Sequence, residues 1–164
     1  EIMPSLVGSE MCIRDSYRRE TQAVEQIDNV AAVTRTLLAS ESGTLFQVDM
    51  STVDYDVTLT LPAVSTSAGV YYDFCFTVDS DDDADFIVKA DAAGTDIYGG
   101  IITLGANSTV DAFAGVSTIT VDGSVAQSAE GMKLSFLCDG TNWHLSGHIM
   151  TAVGTVHLVG AAGV

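Results

Sequence analysis

Residues 70–78 read Val-Tyr-Tyr-Asp-Phe-Cys-Phe-Thr-Val, with Val70, Tyr72, Phe74, Phe76 and Val78 at strict period two. Only extended backbone sends successive side chains to opposite sides, so this run specifies a strand whose even positions face a core. Two further runs repeat the pattern. Met132, Leu134, Phe136 and Cys138 alternate with Lys133, Ser135 and Leu137; Trp143, Leu145, Gly147 and Ile149 alternate with His144, Ser146 and His148. Asp139-Gly140 between them is a hairpin signal, because glycine supplies a positive φ without steric cost. Val57, Leu59 and Leu61 form a shorter alternating run that Pro62 ends, since proline cannot donate to a ladder.

Weaker strand candidates are 33–38, 45–49, 85–90, 97–103, 116–121 and 155–159, separated by Gly-, Ser- and Asp-rich turns. About ten short strands without an intervening helix after each predict an all-β fold, an antiparallel, jelly-roll-like β-sandwich. No strict internal repeat is present, which argues against a solenoid or propeller. Residues 17–29 hold the one concentration of helix formers, Glu20, Gln22, Ala23, Glu25 and Gln26 among them, and predict a short N-terminal helix or an extended arm.

Charge then narrows the function. The 164-residue chain has 22 acidic and 6 basic residues, a net charge of −16. Phosphate repels such a surface, which excludes direct nucleic-acid binding. No apolar run reaches the ~18 residues that a spanning helix needs, so no membrane contact is expected. The bases cluster early: Arg18, Arg19 and Arg35 precede a body whose remaining cations are Lys89 and Lys133. An arm carrying these arginines suits contact with an acidic neighbour.

Residues 10–16, Glu-Met-Cys-Ile-Arg-Asp-Ser, resemble the in-frame translation of a sequencing-library adapter, as found in metagenomic gene sequences. Residues 1–16 are therefore expected to be a scar rather than native protein. Without them the chain keeps 19 acids and 5 bases, so the acidity argument survives. The expected organisation is this scar, an arm or short helix at 17–36, one β-sandwich domain at 37–159 and a tail at 160–164.

Few residues suggest chemistry. Asp79, Asp81 and Asp83 match the first three alternating ligand positions of a calcium loop, with Asp85 beside them. Ala84 then stands where that loop needs glycine, and Ala90 where it needs a bidentate glutamate. A solvated hairpin loop is the expected reading, and calcium is the one cofactor candidate. His144 and His148 share a strand face, but four residues of strand span ~13 Å, too far for one ion to bridge. Both are expected to be exposed and uncommitted. Cys75 and Cys138 lie on opposite strand parities and read as free thiols acting as small hydrophobes, with a disulfide left open. No nucleophile elbow, P-loop or dinucleotide fingerprint occurs, and no carboxylate pair stands out among so many. Tyr71, at an outward parity, is the one aromatic expected on the surface, where it could contribute to binding.

Residues 37–76 include Ser42-Gly43-Thr44-Leu45-Phe46, then Val57-Thr58-Leu59-Thr60-Leu61-Pro62, then Tyr72-Asp73-Phe74. This resembles a pattern of tailed-bacteriophage virion proteins, in which a Ser-Gly-x-x-Phe strand precedes a strand ending in Leu-Pro and an aromatic Tyr-x-Phe strand. Cys138-Asp139-Gly140-Thr141-Asn142-Trp143 is similar to the Ser-Asp-Gly-Thr-Asn-Trp hairpin that closes many such domains. The match spans residues 37–149. The resemblance implies a non-enzymatic virion surface domain: a capsid decoration (cement) protein, usually a homotrimer, bound to the major capsid protein or other virion subunits and assembled in the host cytoplasm. It implies, as the alternative, a tail-fibre or baseplate module that binds host cell-surface glycan. The motif is structural and carries over no catalytic residue.

Overall fold

The computed structural model describes residues 22–51, 55–77, 84–91, 96–104, 109–121 and 130–150. They form β1 (Val24–Asp28), β2 (Val33–Thr36), a 3-10 turn (Ala39–Glu41), β3 (Leu45–Asp49), β4 (Val57–Thr60), a second 3-10 turn (Val64–Thr66) and β5 (Tyr71–Phe76). There follow β6 (Phe86–Lys89), β7 (Ile97–Leu104), β8 (Thr109–Val116), β9 (Thr118–Val121), β10 (Lys133–Cys138) and β11 (Trp143–Met150). Seven strands make one sheet in the order β1-β3-β5-β10-β11-β7-β8, and four make another in the order β2-β4-β6-β9.

The all-β expectation holds, but its antiparallel, jelly-roll-like form does not. β1–β3, β3–β5, β2–β4, β4–β6 and β11–β7 all pair in parallel. Among the described residues, β10–β11, β10–β5, β6–β9 and β7–β8 are the antiparallel pairs. The reason lies in the path. From β1 to β6 the chain passes from one sheet to the other at every step, so each sheet gains a strand running in the same direction. These are three successive coils, the arrangement that the lack of a repeat argued against. Their lengths differ: Val24↔Leu45↔Asp73 are 21 and 28 residues apart. Unequal coils leave no sequence period.

Within residues 22–36 the helical alternative of the expected 17–36 arm is also replaced, while residues 17–21 lie outside the described residues. Residues 24–28 are a strand at the sheet edge, because Ile27 is buried while Val24 and Gln26 face solvent, a period of two rather than 3.6. β2 likewise belongs to the second sheet rather than to a detached arm.

The parity assignments from the three long runs are correct at the described positions; Val78 lies outside them. Tyr72, Phe74, Phe76, Met132, Leu134, Phe136, Cys138, Trp143, Leu145 and Ile149 are all buried in one cluster shared by both sheets. Phe74 lies at its centre. Its ring stacks on Phe46 at 5.2 Å and meets Phe136 edge-on at 5.9 Å within the large sheet, and Phe86 of the small sheet at 5.5 Å. The polar tips of the buried aromatics reach across. Tyr72 Oη donates to the Leu38 carbonyl (2.7 Å), and Trp143 Nε1 donates to that of Pro62 (3.3 Å). Burial pushes the Tyr72 hydroxyl pKa up to about 12.

The β10–β11 hairpin closes as expected at Gly140, whose φ is +94°. Asp139 Oδ1 accepts from the Thr141 and Asn142 amides (2.7 Å each), an Asx turn that fixes the register.

Candidate functional site: the outer face of the seven-stranded sheet

The sheet register decides which side chains leave the core on the outside. Along one row stand Tyr71, Leu137, His144, Tyr98 and Ala114. The next holds Asp73, Ser135, Ser146, Gly100 and Ala112; the third holds Cys75, Lys133, His148, Ile102 and Val110. Met150 and Leu104 pair beyond it. Eleven large apolar side chains are exposed among the described residues, and eight lie on this face: Val24, Tyr71, Tyr98, Ile102, Leu104, Val110, Leu137 and Met150. Val110 is 74 % exposed and Leu137 50 %.

The outer face of the small sheet is the opposite in character. Its two rows are Thr34, Thr58, Ile87, Thr120 and Thr36, Thr60, Lys89, Thr118. Threonine suits a strand that faces water, because its branched Cβ favours the pleat and its hydroxyl hydrates. One side of the molecule is therefore dressed for solvent and the other is not.

Tyr71 rims an open cleft of about 360 Å³ on the apolar side, lined also by Asp73, Ser135, Leu137, His144 and Ser146. Several of its polar groups are already engaged. Ser135 Oγ donates to Asp73 Oδ1 (2.5 Å), Gln22 Nε2 donates to Oδ2 (3.2 Å), and Lys133 Nζ stands 3.9 Å away. His144 Nε2 and Asp139 Oδ2 are 2.8 Å apart. That contact, with the two turn amides, holds the Asp139 carboxyl down at about 2. His148 Nε2 lies 3.0 Å from the Gly131 carbonyl. Both histidines, expected to be uncommitted, thus have a partner. The cleft can hold a small polar group against a tyrosine face.

The remaining expected residues fall elsewhere. Arg18, Arg19, Asp79, Asp81 and Asp83 lie outside the described residues. The Asp85 amide donates to Asp56 Oδ1 (3.0 Å) and its carbonyl accepts from Val57 (2.9 Å), so it joins two coils. Among the described residues no cluster of three His, Cys, Asp or Glu side chains could hold a metal ion. Arg35, expected to meet a neighbouring subunit, has its charge met internally. It pairs with Glu25 of β1 and Glu41 of the first 3-10 turn, and its guanidinium lies 5.7 Å from the Phe46 ring centroid. The hydrogen bond that it donates to Glu25 leads in raising its pKa. Cys138 is a buried free thiol, its pKa raised by burial; Cys75 is free and half-buried on the outer face.

Sequence reading put Tyr71 and Leu137 at outward parity but missed Tyr98, Ile102, Leu104, Val110 and Met150. The signal was present: Ile101-Ile102 and Phe136-Leu137-Cys138 are apolar at both parities, the mark of a strand covered on both faces. Comparison of the chain with protein-family models, with curated proteins and with solved structures finds no match.

Proposed function

We propose that this chain is a non-enzymatic structural component of a tailed-phage particle, a decoration (cement) protein on the outside of the head. Its two facing sheets then serve as a sandwich-type body that assembles in the host cytoplasm, as a homotrimer, and docks on the major capsid protein. The single observation that supports an assembly role is the outer face of the seven-stranded sheet, which gathers eight of the eleven exposed large apolar side chains. A monomer that works alone in water has no use for so concentrated a patch. The motifs at Ser42–Phe46, Tyr72–Phe74 and Cys138–Trp143 supply the virion context by resemblance. The acidic exterior suits a position outside the capsid, away from packaged DNA.

Mixing the purified chain with undecorated capsids tests this. Co-sedimentation and a raised capsid melting temperature are expected; absence of binding overturns the reading.

A second reading is favoured by the Tyr71 cleft: a tail-fibre or baseplate module holding a host glycan, with Tyr71 as the stacking platform and Asp73, Ser135 and Ser146 as hydrogen-bonding groups. A glycan array separates the two, and repeating it with chelator reveals any contribution from the Asp79–Asp85 segment. Binding that Tyr71→Ala abolishes favours this reading over decoration.

A further inference from the structure

The Tyr71 cleft continues as a groove. The register sets Asp73, Ser135, Ser146, Gly100 and Ala112 side by side across β5, β10, β11, β7 and β8, a row of short side chains. Longer ones stand on both sides: Tyr71 and Tyr98 in one neighbouring row, Ile102 and Val110 in the other. Four strand spacings of ~4.8 Å make the row about 19 Å long, more than one small group fills. β8 is the sheet edge, so among the described residues no further strand closes that end.

Tyr71 is set in advance. Its amide donates to Ser42 Oγ (3.1 Å), and its carbonyl accepts from the Gly43 amide (2.8 Å). Its hydroxyl end lies over Gly43, where a Cβ would come within 3.1 Å of Oη. The ring is thereby held while still exposed, so a ligand need not order it. Tyr98 stands three strands further along the same wall, about 14 Å away.

We propose that this groove binds a linear, uncharged oligosaccharide lying across the strands, one sugar ring on Tyr71 and another on Tyr98. The proposal rests on the glycan reading above, and it names the class of chain and a second contact. Charge selects against acidic chains. On the outward positions of these five strands Asp73 is the one carboxylate and Lys133 the one ammonium, and they stand 3.9 Å apart. The groove thus offers a ligand little net charge, while a chain of −16 repels acids around it. Chemistry selects sugar over peptide. A peptide crossing the strands presents an amide and a carbonyl at nearly every residue, and the Gly100–Ala112 floor offers no side-chain partner for them. A pyranose ring lays its C–H face on tyrosine and turns its hydroxyls to the Ser135 and Ser146 hydroxyls and to water at the rim.

The test is an array of linear gluco-, galacto-, manno- and N-acetylglucosamine oligosaccharides probed with the full chain. It runs from monosaccharide to hexasaccharide and includes uronic-acid counterparts. Uncharged chains should be retained, with affinity rising at least about tenfold from monosaccharide to tetrasaccharide as the second contact is reached. Tyr98→Ala should remove that rise, Tyr71→Ala should weaken every length, and Thr120→Ala on the small sheet should change nothing. Tyr98→Leu, which keeps apolar bulk but no ring, replaces Tyr98→Ala should the latter fail to fold. Binding that ignores length, a rise that survives loss of the Tyr98 ring, or a preference for uronic acids overturns the proposal and leaves the glycan reading standing. Retention of no glycan, or retention that Tyr71→Ala spares, sinks both. Capsid binding that both alanines abolish, with no glycan retained, gives the groove to a protein partner and overturns the proposal too.

Discussion

Truncating Phe74 to alanine probes whether the two sheets share one core. Phe74 is fully buried and touches Phe46, Phe136 and Phe86, the last from the opposite sheet. Phe→Ala in a core costs about 3–5 kcal/mol, the cavity included. Three ring contacts, each worth up to about 1 kcal/mol beyond area, put this site at the upper end, about 5 kcal/mol. That is a large share of the ~5–15 kcal/mol that holds a domain together. With a urea slope of about 2 kcal/mol/M, the unfolding midpoint should fall by roughly 2.5 M. Phe74→Leu keeps most of the volume and should cost about 1.5 kcal/mol. Trp143, the sole tryptophan, is buried and stacked 5.8 Å from Tyr72, so its fluorescence reports the loss of packing directly. Tyr71→Ala, on the outer side of the same strand, is the control and should move the midpoint by less than about 0.5 M. If Phe74→Ala shifts the midpoint no more than Tyr71→Ala does, the shared core is refuted.

Other perturbations test other parts. A Cβ at Gly147 would lie 2.2 Å from the Lys133 carbonyl oxygen and 3.0 Å from Leu134 Cα, so backbone must move; Gly147→Ala should cost about 3 kcal/mol in the same urea titration, and a neutral result contradicts the β10–β11 register. Asp139 has a folded pKa of about 2, below the ~3.9 of an unfolded aspartate. Its contribution is therefore complete above pH ~4 and is lost as pH falls through 2; midpoints measured down this range should flatten in Asp139→Asn, and an unchanged acid limb contradicts the pairing with His144. Removing Arg35 should cost only about 1 kcal/mol, since the pair is still partly exposed to solvent, and a double-mutant cycle with Glu41→Ala should return a coupling of that order. Cys138 should resist a thiol reagent until the chain unfolds, while Cys75 reacts in the native state; equal rates contradict the burial assigned to Cys138.

The long alternating runs were legible because period two leaves no other backbone geometry, and they named the buried half of β5, β10 and β11 correctly. Asp139-Gly140 announced its hairpin through the local chemistry of a turn. Pairing direction was not legible. Parallel partners such as Val24 and Leu45 lie a full coil apart, and coils of unequal length leave no repeat to detect. β1 was hidden by Glu25 and Gln26, helix formers whose preference is overridden by the sheet edge that Ile27 anchors. β8 was hidden by alanines and glycine, which carry a weak strand preference. The outer face suffered most from this. Tyr71 could be seen alone, but that Tyr98, Ile102 and Val110 lie beside it depends on β11 pairing with β7 and β7 with β8. The partners of Arg35, His144 and His148 are equally a product of the fold.

Everything proposed for the outer face depends on the parallel register of β11 and β7, since a slip of one residue would exchange its side chains with those of the core. Cross-strand nuclear Overhauser contacts measure that register directly. The structure predicts amide contacts linking the Gly147 and Ile101 neighbourhoods, with no close Hα–Hα pairs between the two strands. Strong Hα–Hα contacts between β11 and β7, or a register offset by one, would contradict the account.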